Sequence, residues 1–346
     1  MSQRAARHLR KDRPPAHLAR CTLLLVLVGC SGGSPDTFGA QFDRLWQDFD
    51  LTYPYFSIVN VDWSASRERY RPRALAGASE EELIGTLVEM LGELQDPHVH
   101  FQDDAGRQRP TWVSSAFKNY DRTVRSSYSA RWGTQSLGQW GYGMIGSVPY
   151  IYVDSWSMPL SGFDGAMEAF KEAPGIVIDV RANGGGNSAY ALPVLQRLAD
   201  RTRIGGYVRY RNGPHHDDFN APTAAEFSPG GSWQYTKPVL LLVGAGSVSS
   251  TEDFASAMRE LPHVTLAGDT TAGATANPAT RSLAMGWSYT ISRWFFTTPD
   301  GIVVEGHGIP PHVQVSSTAA DFASGRDPVL DYAVAWAANP TVQRGP

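Results

Sequence analysis

An α/β fold, with a mainly parallel sheet flanked by helices and an N-terminal helical subdomain, is predicted by three features of the chain. Apolar runs of strand length recur at residues 150–154, 175–180, 238–243 and 264–267, with helical patterns between most of them. Strand–helix alternation of this kind implies helices packed on a mainly parallel sheet. Residues 38–105 instead carry apolar side chains at three- and four-residue spacing, the period of helices. The chain has 346 residues, 42% of them hydrophobic, enough for a large core and one or two domains.

The N-terminus reads as an address. Arg4, Arg7, Arg10, Lys11, Arg13 and Arg20 precede an apolar run at 22–28 that is too short to span a bilayer, the pattern of an export signal over 1–29. The run closes on Leu27-Val28-Gly29-Cys30, which resembles the bacterial lipobox; the alternative is an ordinary signal peptide with a chance cysteine. Lipidation of Cys30 and a flexible tether over 30–37 are expected. The expected address is the bacterial cell envelope, at the periplasmic face of the outer or inner membrane, with Cys30 as the only membrane contact.

Removing residues 1–29 takes away six of 30 Lys+Arg and one of 34 Asp+Glu, which leaves 24 against 33, or −9. No basic run remains, so nucleic acid is not an expected partner. Cys21 lies inside the signal, which leaves no disulfide, thiol nucleophile or cysteine-based metal site. No metal or cofactor is expected. No second hydrophobic stretch is long enough to cross a membrane.

Along the mature chain, Phe38, Phe42, Leu45, Trp46 and Phe49 form one helical stripe, and Leu83, Leu87, Met90, Leu91 and Leu94 another, capped by Ser79 with Glu82. Residues 106–145 have weak periodicity and read as connecting strands or loops. The α/β core is expected over 146–338, with helices at 163–173, 187–201, 250–261 and 327–338. A β-pair of 287–297 with 302–304 is expected around the Thr298-Pro299-Asp300-Gly301 turn. Residues 339–346 are a tail.

Two segments carry candidate chemistry. Residues 243–252 run from a buried strand into a helix and place Ser249 at the helix N-terminus, where free N–H groups and the dipole can stabilise an oxyanion. Ser249 and Glu252 also fit a helix capping box, which needs no chemistry. At Asp179-x-Arg181-x-Asn183-Gly184-Gly185-Gly186 a strand ends in three glycines whose N–H groups can approach a ligand. A phosphate loop would need a lysine after the glycines, and none follows. A plain tight turn is the alternative.

These two segments, followed by residues 267–273 and by 305–311 (Glu305-Gly-His-Gly-Ile-Pro-Pro), resemble in order the tail-specific or C-terminal-processing serine peptidases. That family shares its core with the tricorn protease and with interphotoreceptor retinoid-binding protein. The resemblance runs from about residue 38 to 338 and implies a crotonase/ClpP-like core and a protein or peptide substrate, with self-association left open. It places the nucleophile on Ser249, with Ser247 and Ser250 as neighbours in register. The dyad lysine of the tail-specific branch is replaced by Ala274, and no lysine occurs beyond Lys237. The resemblance therefore points to the tricorn-like branch, which takes its base from the helical region. Leu94-x-Asp96-x-His98 supplies His98, with His100 as competitor and Asp96 read as stabilising its own turn. Glu305 matches the orienting carboxylate, directly or through another hydroxyl, although Pro97 stands where that branch has a serine. The oxyanion hole would combine an N–H from Gly184, Gly185 or Gly186 with that of Ser250.

The expected function is a lipoprotein serine endopeptidase acting on unfolded or C-terminal segments. About 45 residues separate His98 from the next clear strand, too few for a PDZ domain. A non-catalytic binding protein on the same scaffold is the first alternative. An α/β-hydrolase esterase would need a Gly-x-Ser-x-Gly elbow, which is missing before a helix. His215, His216, Asp217 and Asp218 read as a solvated loop rather than a metal site.

Overall fold

The computed structural model describes residues 37–344. The expected signal, lipobox and most of the tether lie outside the described residues. A seven-stranded sheet forms the centre, in the order Val313–Gln314, Val264–Gly268, Val239–Val243, Ile176–Asp179, Val148–Val153, Trp140–Ile145 and Gln135–Ser136. The first five are parallel, and the last two join antiparallel at one edge.

The apolar runs are continuous because both faces of the sheet are covered. Ile176, Ile178, Val239, Leu241 and Val243 point into one core, beneath helices Phe163–Ala169, Leu192–Leu198 and Ser250–Arg259. Their neighbours Val177, Leu240 and Leu242 point into the other, beneath Arg122–Arg131 and Pro328–Ala337. This period-two split is what a strand buried on both sides requires.

Helices Phe38–Thr52, Trp63–Ala76 and Glu80–Gly92 build a separate core. Ser79 caps the third as expected, its hydroxyl accepting the Glu82 N–H at 3.3 Å while the Glu82 carboxylate accepts from Ala78 N at 2.8 Å. This core is completed by Trp287, Tyr289 and Ile291 from the far end of the chain. They belong to a four-stranded antiparallel sheet of Ala279–Ser282, Ser288–Ile291, His100–Gln102 and Gln108–Pro110.

Several expectations are corrected. The stretch 287–297 is not one strand: it breaks at Ser292-Arg293, and Trp294–Thr297 pairs instead with Arg203–Tyr210 in a third sheet. Residues 302–304 form only a bridge, Val303 to Thr297, around the turn. The expected helix at 187–201 is a 3₁₀ turn, Ser188–Tyr190, followed by Leu192–Leu198. The helical region gives way to the strand His100–Gln102, and 106–145 contains the helix Arg122–Arg131.

Candidate active site

Ser249 sits between strand Val239–Val243 and helix Ser250–Arg259 with φ 60° and ψ −129°. A non-glycine residue there is strained, and such strain persists only where its surroundings over-determine it. They do so here. Ser249 N–H donates to Ala274 O at 2.8 Å, and Ser249 O accepts from Glu252 N at 2.7 Å. The Ser249 side chain makes no capping bond.

Glu252 does not close a capping box either. Its buried carboxylate accepts from Thr271 Oγ1 at 2.6 Å and from Gly273 N and Ala274 N at 2.7 Å each. Burial raises its pKa, and these donors offset part of the rise. Glu252 thus ties the helix to the segment whose carbonyl holds Ser249. The neighbouring serines differ from Ser249. Ser247 is buried and donates to Val180 O at 2.9 Å, and Ser250 is buried, whereas Ser249 is partly exposed with a free hydroxyl.

The glycine turn lies against this serine. A Cβ on Gly185 would come 2.8 Å from Ser249 Cβ, and Gly185 adopts φ 99°, which favours glycine. The turn is pinned by Trp156 N to Gly185 O at 3.0 Å and by Asn187 N to Trp156 O at 2.9 Å. The N–H of Gly185 is taken by Asn183 Oδ1 at 2.9 Å. The N–H groups of Gly184, Gly186 and Ser250 have no acceptor among the described residues.

Below the turn lies a buried ion network. Arg181 donates to both oxygens of Asp179, at 3.0 and 2.8 Å, and to Asp327 Oδ1 at 3.0 Å. Burial alone would raise Asp179, but the Arg181 guanidinium holds it below the usual carboxylate range. The Asp and Arg of the glycine motif therefore shape the strand end rather than meet a ligand.

His98 follows a turn in which Gln95 takes φ 50°. Asp96 Oδ1 accepts the His98 N–H at 2.8 Å, as its turn-forming role requires, and also stands 3.6 Å from His98 Nδ1. Its other oxygen accepts from Ser292 Oγ at 2.6 Å. The break at Ser292 that splits the expected strand thus serves this site. Thr290 donates to His98 O at 2.6 Å and accepts from His100 N at 2.8 Å. His98 Nδ1 is buried and has no hydrogen-bond partner. His100 begins a strand, where burial, then the neighbouring His98, lower its pKa.

Glu305 is buried and accepts from Thr275 N at 3.1 Å. Burial, then the nearby Asp96 carboxylate, raise its pKa well above the ordinary range. No ion pair joins Glu305 to His98, and no hydrogen bond joins His98 to Ser249, among the described residues; the carboxylate nearest His98 Nδ1 is that of Asp96. One cavity of about 620 Å³ nonetheless gathers Glu305 with Pro97, Val248 and Ala274, the chain neighbours of His98, Ser249 and Thr275. His216 is bonded to Asp50 Oδ1 at 2.9 Å and does not cluster with its own loop.

Asp96 as a neighbour of the histidine ring, Glu252 as a brace and the Asp179–Arg181–Asp327 network were not assigned these roles from sequence. The signal for the network was the Asp-x-Arg spacing at a strand end. The Asp96 contact had only its closeness to His98 in the chain.

A free, strained serine at a strand-to-helix turn, against a glycine turn and on this layered sheet, is the arrangement of a serine-type peptidase fold. Residues 147–315 match peptidase family S41, and residues 35–92 match the Tricorn protease C1 domain. The chain is 30% identical over 163 residues to the carboxy-terminal processing protease CtpA of Bacillus subtilis, covering 46% of this chain and 32% of that protein. It is 26% identical over 192 residues to the tricorn protease of Thermoplasma acidophilum, covering 55% of this chain and 16% of that protein. The chain thus spans a third or less of the length of these relatives. A crystal structure of a putative peptidase from Parabacteroides merdae superposes with a TM-score of 0.79 at 29% identity, covering 88% of this chain and 97% of that one.

Proposed function

We propose that this chain is an exported, lipid-anchored serine endopeptidase that cleaves unfolded or C-terminal segments of proteins. The observation that carries the reading is Ser249: a partly exposed serine held at φ 60° beside a glycine turn, its hydroxyl committed to no structural bond.

In the proposed reaction Ser249 Oγ attacks the peptide carbonyl carbon and its proton passes to His98. The oxyanion accepts from Ser250 N–H and from Gly184 or Gly186, each such donor contributing about 10²–10³-fold in rate. The C–N bond breaks as His98 returns the proton to the leaving amine. Water, activated by the same imidazole, then releases the acyl group and restores Ser249. Asp96 is the carboxylate that orients His98, and Glu305 lines the adjoining cavity, where burial favours its protonated form. His98 and Ser249 approach each other when substrate fills the cavity, since catalytic hydrogen bonds tighten in the complex.

A proteomic cleavage profile of wild type against Ser249→Ala tests this reading. New termini are expected only with the wild type; identical profiles would favour a non-catalytic binding protein. The envelope address rests on Cys30. Cys30→Ser should release the protein from membranes while peptide cleavage persists, because anchoring depends on buried acyl chains. Unchanged membrane partitioning would refute the anchor.

A further inference from the structure

A second cavity, about 280 Å³, lies beside the serine turn and is walled by apolar side chains that include Leu195, Val208, Phe227, Phe254 and Phe296. It is also lined by Ser250, the residue after Ser249, and by Ser188, two residues past Gly186. These segments flank the proposed oxyanion donors. On the peptidase reading, a residue whose carbonyl oxygen met those donors would carry its side chain toward this cavity.

The polar groups in this cavity are unusual. Asp253 Oδ1 is enclosed and has no hydrogen-bond partner, and its Oδ2 receives only a 3.3 Å bond from Ser188. The Ser250 hydroxyl, on a residue only 4% exposed, is also unpartnered. Glu226 is a second carboxylate on the lining, which contains no lysine or arginine. Enclosed polar atoms without partners are costly and rare in folded proteins, and here they adjoin a site read as binding peptide. Apolar walls with carboxylates and no cation suit a side chain with a methylene stem and a positive head.

On the peptidase reading above, we propose that this cavity receives an arginine or lysine side chain from the residue preceding the scissile bond, and that Asp253 is the specificity-determining carboxylate that reads it. Leucine or phenylalanine would satisfy the walls but leave Asp253 Oδ1 and Ser250 Oγ unpaired. Burial, then the charge of Glu252, push the Asp253 carboxyl up to about 8, so the empty cavity holds it neutral and an entering cation charges it.

The test uses peptides that differ only before the cleaved bond, carrying Arg, Lys, Leu, Phe, Ala or Glu. Arginine or lysine is expected to exceed leucine by about 10²-fold in kcat/KM, and Asp253→Asn to reduce that ratio by about 10²-fold. A preference for leucine or phenylalanine, or a ratio unchanged in a folded Asp253→Asn protein, overturns the assignment. A binding arm needs no turnover: 4-aminobenzamidine should bind Ser249→Ala protein, and at least tenfold more weakly once Asp253→Asn is added. Equal binding to both, or none to either, also overturns it. If no peptide is cleaved and a fluorophosphonate does not label Ser249, the peptidase reading itself fails, and the benzamidine arm judges the cavity alone.

Discussion

Gly185 and Ser249 stand so close that a Cβ on the glycine would lie 2.8 Å from the serine Cβ and 2.9 Å from Val248 O. Gly185→Ala would therefore push on the serine itself, in a backbone conformation that alanine resists. We expect at least a roughly 10²-fold loss of peptide cleavage, since misplacing a reacting group by about 1 Å costs that much. Gly184 has nothing within 4 Å of its own Cβ position, so Gly184→Ala should retain most activity. Equal losses in the two variants would mean that the turn acts through general flexibility and not through its contact with Ser249.

The histidine site holds two carboxyl groups in different surroundings. Asp96 faces His98 Nδ1 at 3.6 Å, whereas burial and the Asp96 charge favour the protonated form of Glu305. Asp96→Asn should lower kcat by about 10²-fold or more, as loss of an orienting carboxylate does in serine triads. Glu305→Gln keeps a neutral shape and should cost less than Asp96→Asn. His98→Ala should be nearly inactive, while His100→Ala keeps most activity. The reverse order of the Asp96 and Glu305 variants would return the orienting role to Glu305. A rate still climbing at pH 9 would point to a lysine base instead.

Asp253 ties the neighbouring cavity to stability. Its folded-state pKa of about 8 lies above the ordinary aspartate value, so the folded protein holds a proton that the unfolded chain releases. Stability from this group is complete below pH 4 and is lost progressively as pH rises to about 8. Asp253→Asn should consequently raise Tm more at pH 8 than at pH 5, and hardly at all near pH 4. Thermal unfolding of both proteins across this range measures the difference. A gain independent of pH would show that the carboxyl is solvated.

Much of this fold is legible because burial on both faces writes itself into the strands. Val239–Val243 is buried at every position, and so are Val148–Val153 and Val264–Gly268. Arg122–Arg131 is not legible for the opposite reason. It buries only Val124, Arg125 and Tyr128, and Arg125 is stabilised by Asp154 rather than by apolar contact. The run 287–297 misleads because both of its halves are apolar, yet they serve different sheets on either side of Ser292.

The site divides in the same way. Ser249 and the glycine turn are local features, set by the spacing of a strand, a turn and a helix. The position of His98 depends on the turn at Gln95 and on clasps from Thr290 and Ser292, some 190 residues away. The bracing of Ser249 by Ala274 and Glu252 likewise joins segments that adjacent positions in the sequence do not connect.

The most direct test of the account is to map the adduct formed when the folded protein reacts with a fluorophosphonate. Tryptic mass spectrometry should find the phosphonate on Ser249 of the wild type. Ser249→Ala should carry no adduct and lose roughly 10⁴-fold or more in peptide turnover. An adduct on Ser247 or Ser250, or undiminished turnover by Ser249→Ala, would contradict the account.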